Sequence, residues 1–176
     1  MNRPAQIRTM PRRVLDIGCG DAQKIKRWAL QKPGWQFEGN HVPDVHIARI
    51  PTDLPSNVHV KEADTFDYTK DKPDEHYSMV TSDMHIGWYK GREKDPRVYA
   101  ERVTSEAHRL LAPGGQFKVI TLDGAGDVTR RIMEKAGFRD VTQRQIMGKE
   151  IWKTEWTLRY SMPRPSLVQV TGIKPK

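Results

Sequence analysis

The sequence predicts an α/β protein: an open, mostly parallel sheet with helices on both faces, completed by an antiparallel strand pair. Three observations carry that expectation. An apolar stretch near the N-terminus runs straight into a glycine turn, strand and helix patterns then alternate as far as Ala136, and the C-terminal segment alternates with a period of two.

The first strand, Val14-Leu15-Asp16-Ile17, sets three apolar residues around one carboxylate, as suits a strand covered on both faces. Gly18-Cys19-Gly20-Asp21-Ala22 follows it. Gly18 and Gly20 remove Cβ atoms where the backbone must turn sharply, so the segment suits a plain turn or the cradle of a nucleotide-like cofactor. A dinucleotide fingerprint, G-x-G-x-x-G, would need glycine at Gln23 or at Ile25, and neither is one. Asp16, one residue before the strand end, is placed to orient the loop or to meet a cationic cofactor group.

Ile25, Trp28 and Ala29 fall at i, i+3 and i+4 of a first helix that Pro33-Gly34 stops. Gln36 to Val42 is a second strand, Val58 to Lys61 a third ending near Asp64, and Tyr77 to Ser82 a fourth. Tyr99, Val103, Ala107 and Leu110 lie on one face of a helix from about Pro96 to Leu111, the clearest in the chain. Ala112-Pro113-Gly114-Gly115 ends it before a fifth strand, Phe117 to Leu122. A helix over Asp127 to Ala136 closes at Gly137, which suits a left-handed cap. Trp152 to Tyr160 and Ser166 to Thr171 then alternate as the expected strand pair.

A length of 176 residues suits one domain, with Met1 to Arg12 as a basic N-terminal extension. No run approaches the eighteen or so apolar residues of a membrane span, and the N-terminus lacks the apolar centre of a signal peptide, so a cytoplasmic protein without a membrane partner is expected. Cys19 is the single cysteine, which excludes an internal disulfide and suits a small packed thiol. The six histidines show no metal-ligand spacing, and no metal is expected. A formal net charge of +8 makes a polyanion a plausible partner.

The pattern Asp16-x-Gly18-x-Gly20-x-Ala22 resembles the first motif of class I S-adenosylmethionine (SAM)-dependent methyltransferases, D/E-x-G-x-G-x-G, with Ala22 in the last glycine position. Further landmarks follow in that family's order: Asp64 after the third strand, Ser82-Asp83 at the end of the fourth, and Leu110-Leu111-Ala112-Pro113-Gly114-Gly115 before the fifth. The resemblance implies a single Rossmann-like methyltransferase domain and SAM as cofactor. It implies a cofactor site of Asp16, Gly18, Cys19, Gly20, His41, Asp64 and Ser82, in which Asp64 accepts from the adenine amino group. His41 stands where the family normally places an acidic residue for the ribose hydroxyls, so bidentate acceptance is lost there. Asn40, Glu38 and Asp44 are the neighbours that could substitute.

A finer resemblance, over Val80 to Asp123, is to the tRNA (guanine-N7)-methyltransferases: Ser82-Asp83, then Trp88, Lys90, Arg92, Lys94 and Arg97, then Thr121 and Asp123. That family's "DPWPK" core is here the longer, proline-free Asp83-Met84-His85-Ile86-Gly87-Trp88-Tyr89-Lys90. Ribose 2′-O-methyltransferases offer another comparison, with Asp83 and Lys118 imitating an Asp–Lys pair; a plain strand lysine is the competing reading.

Transfer from a sulfonium needs alignment and exclusion of water more than catalytic side chains. A ring nitrogen presents its lone pair without deprotonation, and Asp83 could hold such a base by its amino group. A hydroxyl needs a base, for which Asp83 and His85 are the candidates. Trp88, Lys90 and Arg92 interleave aromatic and basic side chains, as in a surface that stacks a base and neutralises phosphate, or in a solvated charged loop. RNA is the expected acceptor, guanine-N7-like or ribose 2′-O. A small-molecule acceptor and a non-catalytic binding subunit are the alternatives, and a partner subunit or homo-oligomer stays open.

Overall fold

The computed structural model describes residues 12–41, 50–83, 95–146 and 166–176. Their elements, in chain order, are β1 (Arg13–Ile17), α1 (Gln23–Gln31), β2 (Gln36–His41), β3 (Val58–Glu62), α2 (Thr65–Thr69), β4 (Tyr77–Asp83), α3 (Pro96–Leu110), β5 (Leu111–Leu122), α4 (Asp123–Lys135), β6 (Arg139–Ile146) and β7 (Leu167–Ile173). The strands form one sheet in the order β3-β2-β1-β4-β5-β7-β6. The first five in that order pair in parallel, and β7 runs antiparallel to both β5 and β6.

Alternation along the strands builds two cores, one on each face. Leu15, Ile17, Tyr77, Val80, Phe117, Val119, Val168 and Val170 pack against Tyr99, Val103, Ala107 and Leu110 of α3 and against Ile132 and Met133 of α4. The opposite face sets Val14, Phe37 and Val58 under Ile25 and Ala29 of α1. The stripe expected on α3 is thus its buried face, and Asp95 caps that helix by accepting from the Arg97 N–H at 2.8 Å, with Pro96 in the first turn. Because chain order reverses direction between β1 and β4, the carboxyl ends of those two strands are the topological switch point of the sheet, where open α/β folds place their ligand crevice.

Four elements differ from the sequence expectation, each for a local reason. Strand β6 was not expected, since Arg139–Ile146 is an edge strand whose side chains are mostly exposed and carry little apolar alternation. It supplies the antiparallel partner of β7; the expected partner, Trp152 to Tyr160, lies outside the described residues. The short α2 follows Asp64, whose carboxylate accepts from the Phe66 N–H at 2.9 Å, and five residues are too few to show periodicity. Helix α4 begins at Asp123 instead of Asp127. Its Gly126 is a packing glycine: a Cβ there would meet Gln143 at 2.7 Å and Val168 at 2.8 Å, so the helix lies close on β6 and β7. Strand β5 begins at once after α3, pairs Leu111 with Tyr77, and bulges over the Pro113-Gly114-Gly115 segment before pairing resumes at Gln116. No helix among the described residues is long and apolar enough to cross a membrane.

Candidate functional site

At the end of β1 the chain turns through Gly18, Gly20 and Ala22, with φ of 69°, 58° and 61°. The two glycines take this left-handed conformation without penalty, whereas a residue with a Cβ pays about 1–2 kcal/mol. Ala22 accepts that strain at the start of α1, where its methyl is fully buried. The turn is held from β2: the Cys19 N–H donates to the Asn40 carbonyl at 2.9 Å and the Gly18 N–H to Asn40 Oδ1 at 3.3 Å. Asn40 Nδ2 donates in turn to the Ala63 carbonyl and to Thr65 Oγ1, which meets the Tyr99 hydroxyl at 3.1 Å. One buried chain of hydrogen bonds therefore ties the glycine turn to α2 and α3. Gly39 completes the fit, because a Cβ there would stand 2.8 Å from Cys19 Sγ and 3.1 Å from Ile25 Cδ1. Cys19 is accordingly the packed thiol expected of it.

Beside the turn, Lys24 reaches back from the first turn of α1 across both central strands. Its Nζ lies 2.7 Å from Asp16 Oδ1, 2.7 Å from Thr81 Oγ1 and 3.0 Å from Asp83 Oδ2. Thr81 also donates to Asp16 Oδ1 at 3.1 Å. Burial raises the Asp16 carboxyl to about 6; the Lys24 charge opposes this and the Asp83 carboxylate adds to it. Burial works against the Lys24 ammonium, yet Asp16 and Asp83 outweigh it and hold its proton more tightly than in a free lysine. Asp16 Oδ2 and, on β4, Ser82 Oγ are buried with no hydrogen-bond partner among the described residues.

The other expected residues fall as follows. His41 ends β2, buried, with its carbonyl accepting from the Ala63 N–H. Asp64 caps α2 with one oxygen. Glu38, considered as a stand-in for the ribose acceptor, is committed elsewhere: Lys72, Tyr68 and Tyr77 all donate to its Oε2. Burial opposes its ionisation, and these donors outweigh burial, holding its carboxyl below the ordinary range. Asn40 is likewise spent on the turn. Lys118 does not stand opposite Asp83, since the register pairs Ile120 with Asp83 and Lys118 with Thr81. Lys118 is half-buried, and burial together with Lys32 and Arg144 lowers its affinity for a proton. Asp123 starts α4 and accepts from Ser166 Oγ at 3.3 Å. His85, Trp88, Lys90 and Arg92 lie outside the described residues, as does Asp44.

Among solved structures the chain is similar to the cyclase SpnF, at 18% identity and a TM-score of 0.68 over 96% of this chain and 77% of that one. It is similar as well to a SAM-dependent methyltransferase from Archaeoglobus fulgidus, at 16% identity and a TM-score of 0.62 over 93% of this chain and 86% of that one. The chain has the class I methyltransferase fold. No protein-family model matches it. A tRNA (guanine-N(7)-)-methyltransferase from Acidithiobacillus ferrooxidans is 27% identical over 115 residues, which cover 61% of this chain. The chain spans about half the length of that curated relative, 49% of it.

In a methyltransferase fold the crevice between β1 and β4 is the place to ask whether the residues suit SAM, and here they do. The glycine turn offers backbone without side chains. Buried polar atoms without partners are rare, and two of them, Asp16 Oδ2 and Ser82 Oγ, occur on the two strands that flank the crevice. Sequence reasoning missed Lys24, Thr81 and Gly39, and considered Asn40 for the ribose hydroxyls instead of as the latch of the turn. Two signals were present: a lysine in the first turn of a helix, where the macrodipole disfavours cations, and a Gly-Asn pair inside a buried strand.

Proposed function

We propose that the protein is a SAM-dependent methyltransferase that modifies RNA at a ring nitrogen of the guanine-N7 type. The cofactor half of this reading is carried by one observation, the left-handed Gly18-Gly20-Ala22 turn between two strands that each bear an unpartnered buried polar atom. Gly18, Cys19 and Gly20 would hold the cofactor through backbone groups, with Asp16, Ser82, His41 and Asp64 around it. Bound SAM supplies a methyl group on a positively charged sulfur. What the chain contributes is orientation and exclusion of water.

The acceptor half rests on Asp83. One of its oxygens accepts a hydrogen bond from the Lys24 ammonium, so the carboxylate is arranged to accept a hydrogen bond from a base amino group more than to strip a hydroxyl. That favours an acceptor with its own lone pair over a ribose hydroxyl. The curated relative is itself a tRNA (guanine-N(7)-)-methyltransferase, and the basic charge suits RNA.

A second reading, a non-catalytic binding subunit on the same fold, is supported by His41 at the end of β2, with Glu38 and Asn40 both committed to other partners. Melting curves separate the two. Ligand at about 100 times its Kd adds about 2.7 kcal/mol, which in a protein of this size raises Tm by about 5–10 °C. No shift with millimolar SAM or S-adenosylhomocysteine refutes the enzyme. Labelled SAM with total RNA, followed by nucleoside analysis, is expected to place the label on a guanine ring; label on ribose alone, or only on small molecules, refutes the acceptor assigned.

A further inference from the structure

We propose that Lys24 is a positioning residue of the transfer site: it clamps the end of β4 to β1, so that Asp83 meets the acceptor with one oxygen fixed and the other left for the substrate. The naming of an acceptor side rests on the methyltransferase reading; the clamp itself does not.

The geometry is specific. An ammonium has three protons, and Lys24 spends them on Asp16 at 2.7 Å, Thr81 at 2.7 Å and Asp83 at 3.0 Å. Its acceptors come from two adjacent strands: Asp16 from β1, which feeds the glycine turn, and Thr81 and Asp83 from β4, on one face by strand alternation. Thr81 closes the cluster by donating to Asp16. Asp83 Oδ1 has no partner among the described residues, and the side chain is 28% exposed while Asp16 is 1% exposed. The inner end of the clamp is therefore sealed and the outer end open.

The physical consequence is preorganisation. Two carboxylates placed on neighbouring strands repel, and without a cation between them the outer one would swing into solvent. Lys24 cancels that repulsion and removes the rotamer freedom of Asp83 before any acceptor arrives. With all three protons used, Lys24 itself is not a ligand for substrate. The groups facing Asp16 are Lys24 from α1 and Asp83 and Thr81 from β4, and these set its behaviour with pH.

The test uses the whole protein with Lys24→Met, Lys24→Arg and Asp83→Asn. Carbon-13 NMR of the aspartate carboxylates, with no cofactor added, is expected to show Asp16 titrating near 6 in the wild type. The midpoint moves upward in Lys24→Met, back toward the wild-type value in Lys24→Arg, and downward in Asp83→Asn, which leaves Lys24 in place should the methionine variant not fold. In parallel, at saturating SAM, Lys24→Met is expected to slow transfer to RNA at least tenfold, and Lys24→Arg restores part of the rate. A purely structural lysine would instead lower melting temperature and SAM affinity together. An unshifted Asp16 midpoint in Lys24→Met or Asp83→Asn overturns the clamp. Shifted midpoints in a wild-type protein that binds no SAM refute the methyltransferase reading and, with it, the positioning role.

Discussion

The glycine turn shows how much depends on single atoms. Gly39 is the clearest case: nothing about its own backbone demands glycine, but a methyl group would press on Cys19 and Ile25. Gly39→Ala is expected to cost about 1–3 kcal/mol in chemical denaturation and to weaken SAM binding through displacement of the turn. Normal binding in a destabilised variant would show that the turn is not the cofactor cradle. Asp16 makes a second prediction, with its sign fixed by the direction of its shift. Its carboxyl is raised in the fold, so the folded state keeps a proton that the unfolded chain releases between pH 3.8 and about 6. The contribution of this group to stability therefore falls as pH rises through that window. Glu38 and Glu106, held low, act in the opposite sense and lose stabilisation on acidification, so a single pH profile mixes the three. Measured against Asp16→Asn, the wild-type protein is expected to lose about 2 kcal/mol between pH 4 and 6. A gain over that range would mean that Lys24 dominates burial.

At the scale of elements, the strands and helices that pack on both sides of the sheet announce themselves, and those that do not pack are silent. Helix α3 has a four-residue apolar stripe, a capping aspartate and a first-turn proline. Asp95→Ala is expected to lower stability by about 1 kcal/mol, with the loss confined to the cap; hydrogen exchange should show the first turn of α3 opening sooner while β4 and β5 keep their protection. Edge strand β6 has solvent on most of its side chains, so no buried face requires its residues to alternate between apolar and polar. Helix α4 begins with two glycines that look like a loop in one dimension; in three, Gly126 serves close packing, whereas a Cβ at Gly124 would meet nothing.

At the scale of the whole molecule, charge and topology act together. A net charge of +8 would attract a polyanion such as RNA at long range, and Lys90 and Arg92 follow Asp83, the residue proposed to meet the acceptor, by seven and nine positions. Replacing both with alanine is expected to weaken RNA binding and to flatten its dependence on log salt by roughly one to two; an unchanged slope would place the phosphate contacts elsewhere. The fold by itself does not fix activity, since the cyclase SpnF shares it.

The amino-acid sequence alone determined the alternating βα order, the glycine turn, the buried stripe of α3 and the carboxylates at the ends of β1 and β4. All of these are local patterns, written in residues close along the chain and enforced by backbone sterics and side-chain periodicity. Only the tertiary structure decided that Lys24 joins Asp16 to Asp83, that Asn40 latches the turn, that Glu38 is spent on two tyrosines and a lysine, and that β6 is the partner of β7. Those facts depend on which strands lie side by side, and adjacency across a parallel sheet is set by the crossover order of the whole chain, which no local pattern records.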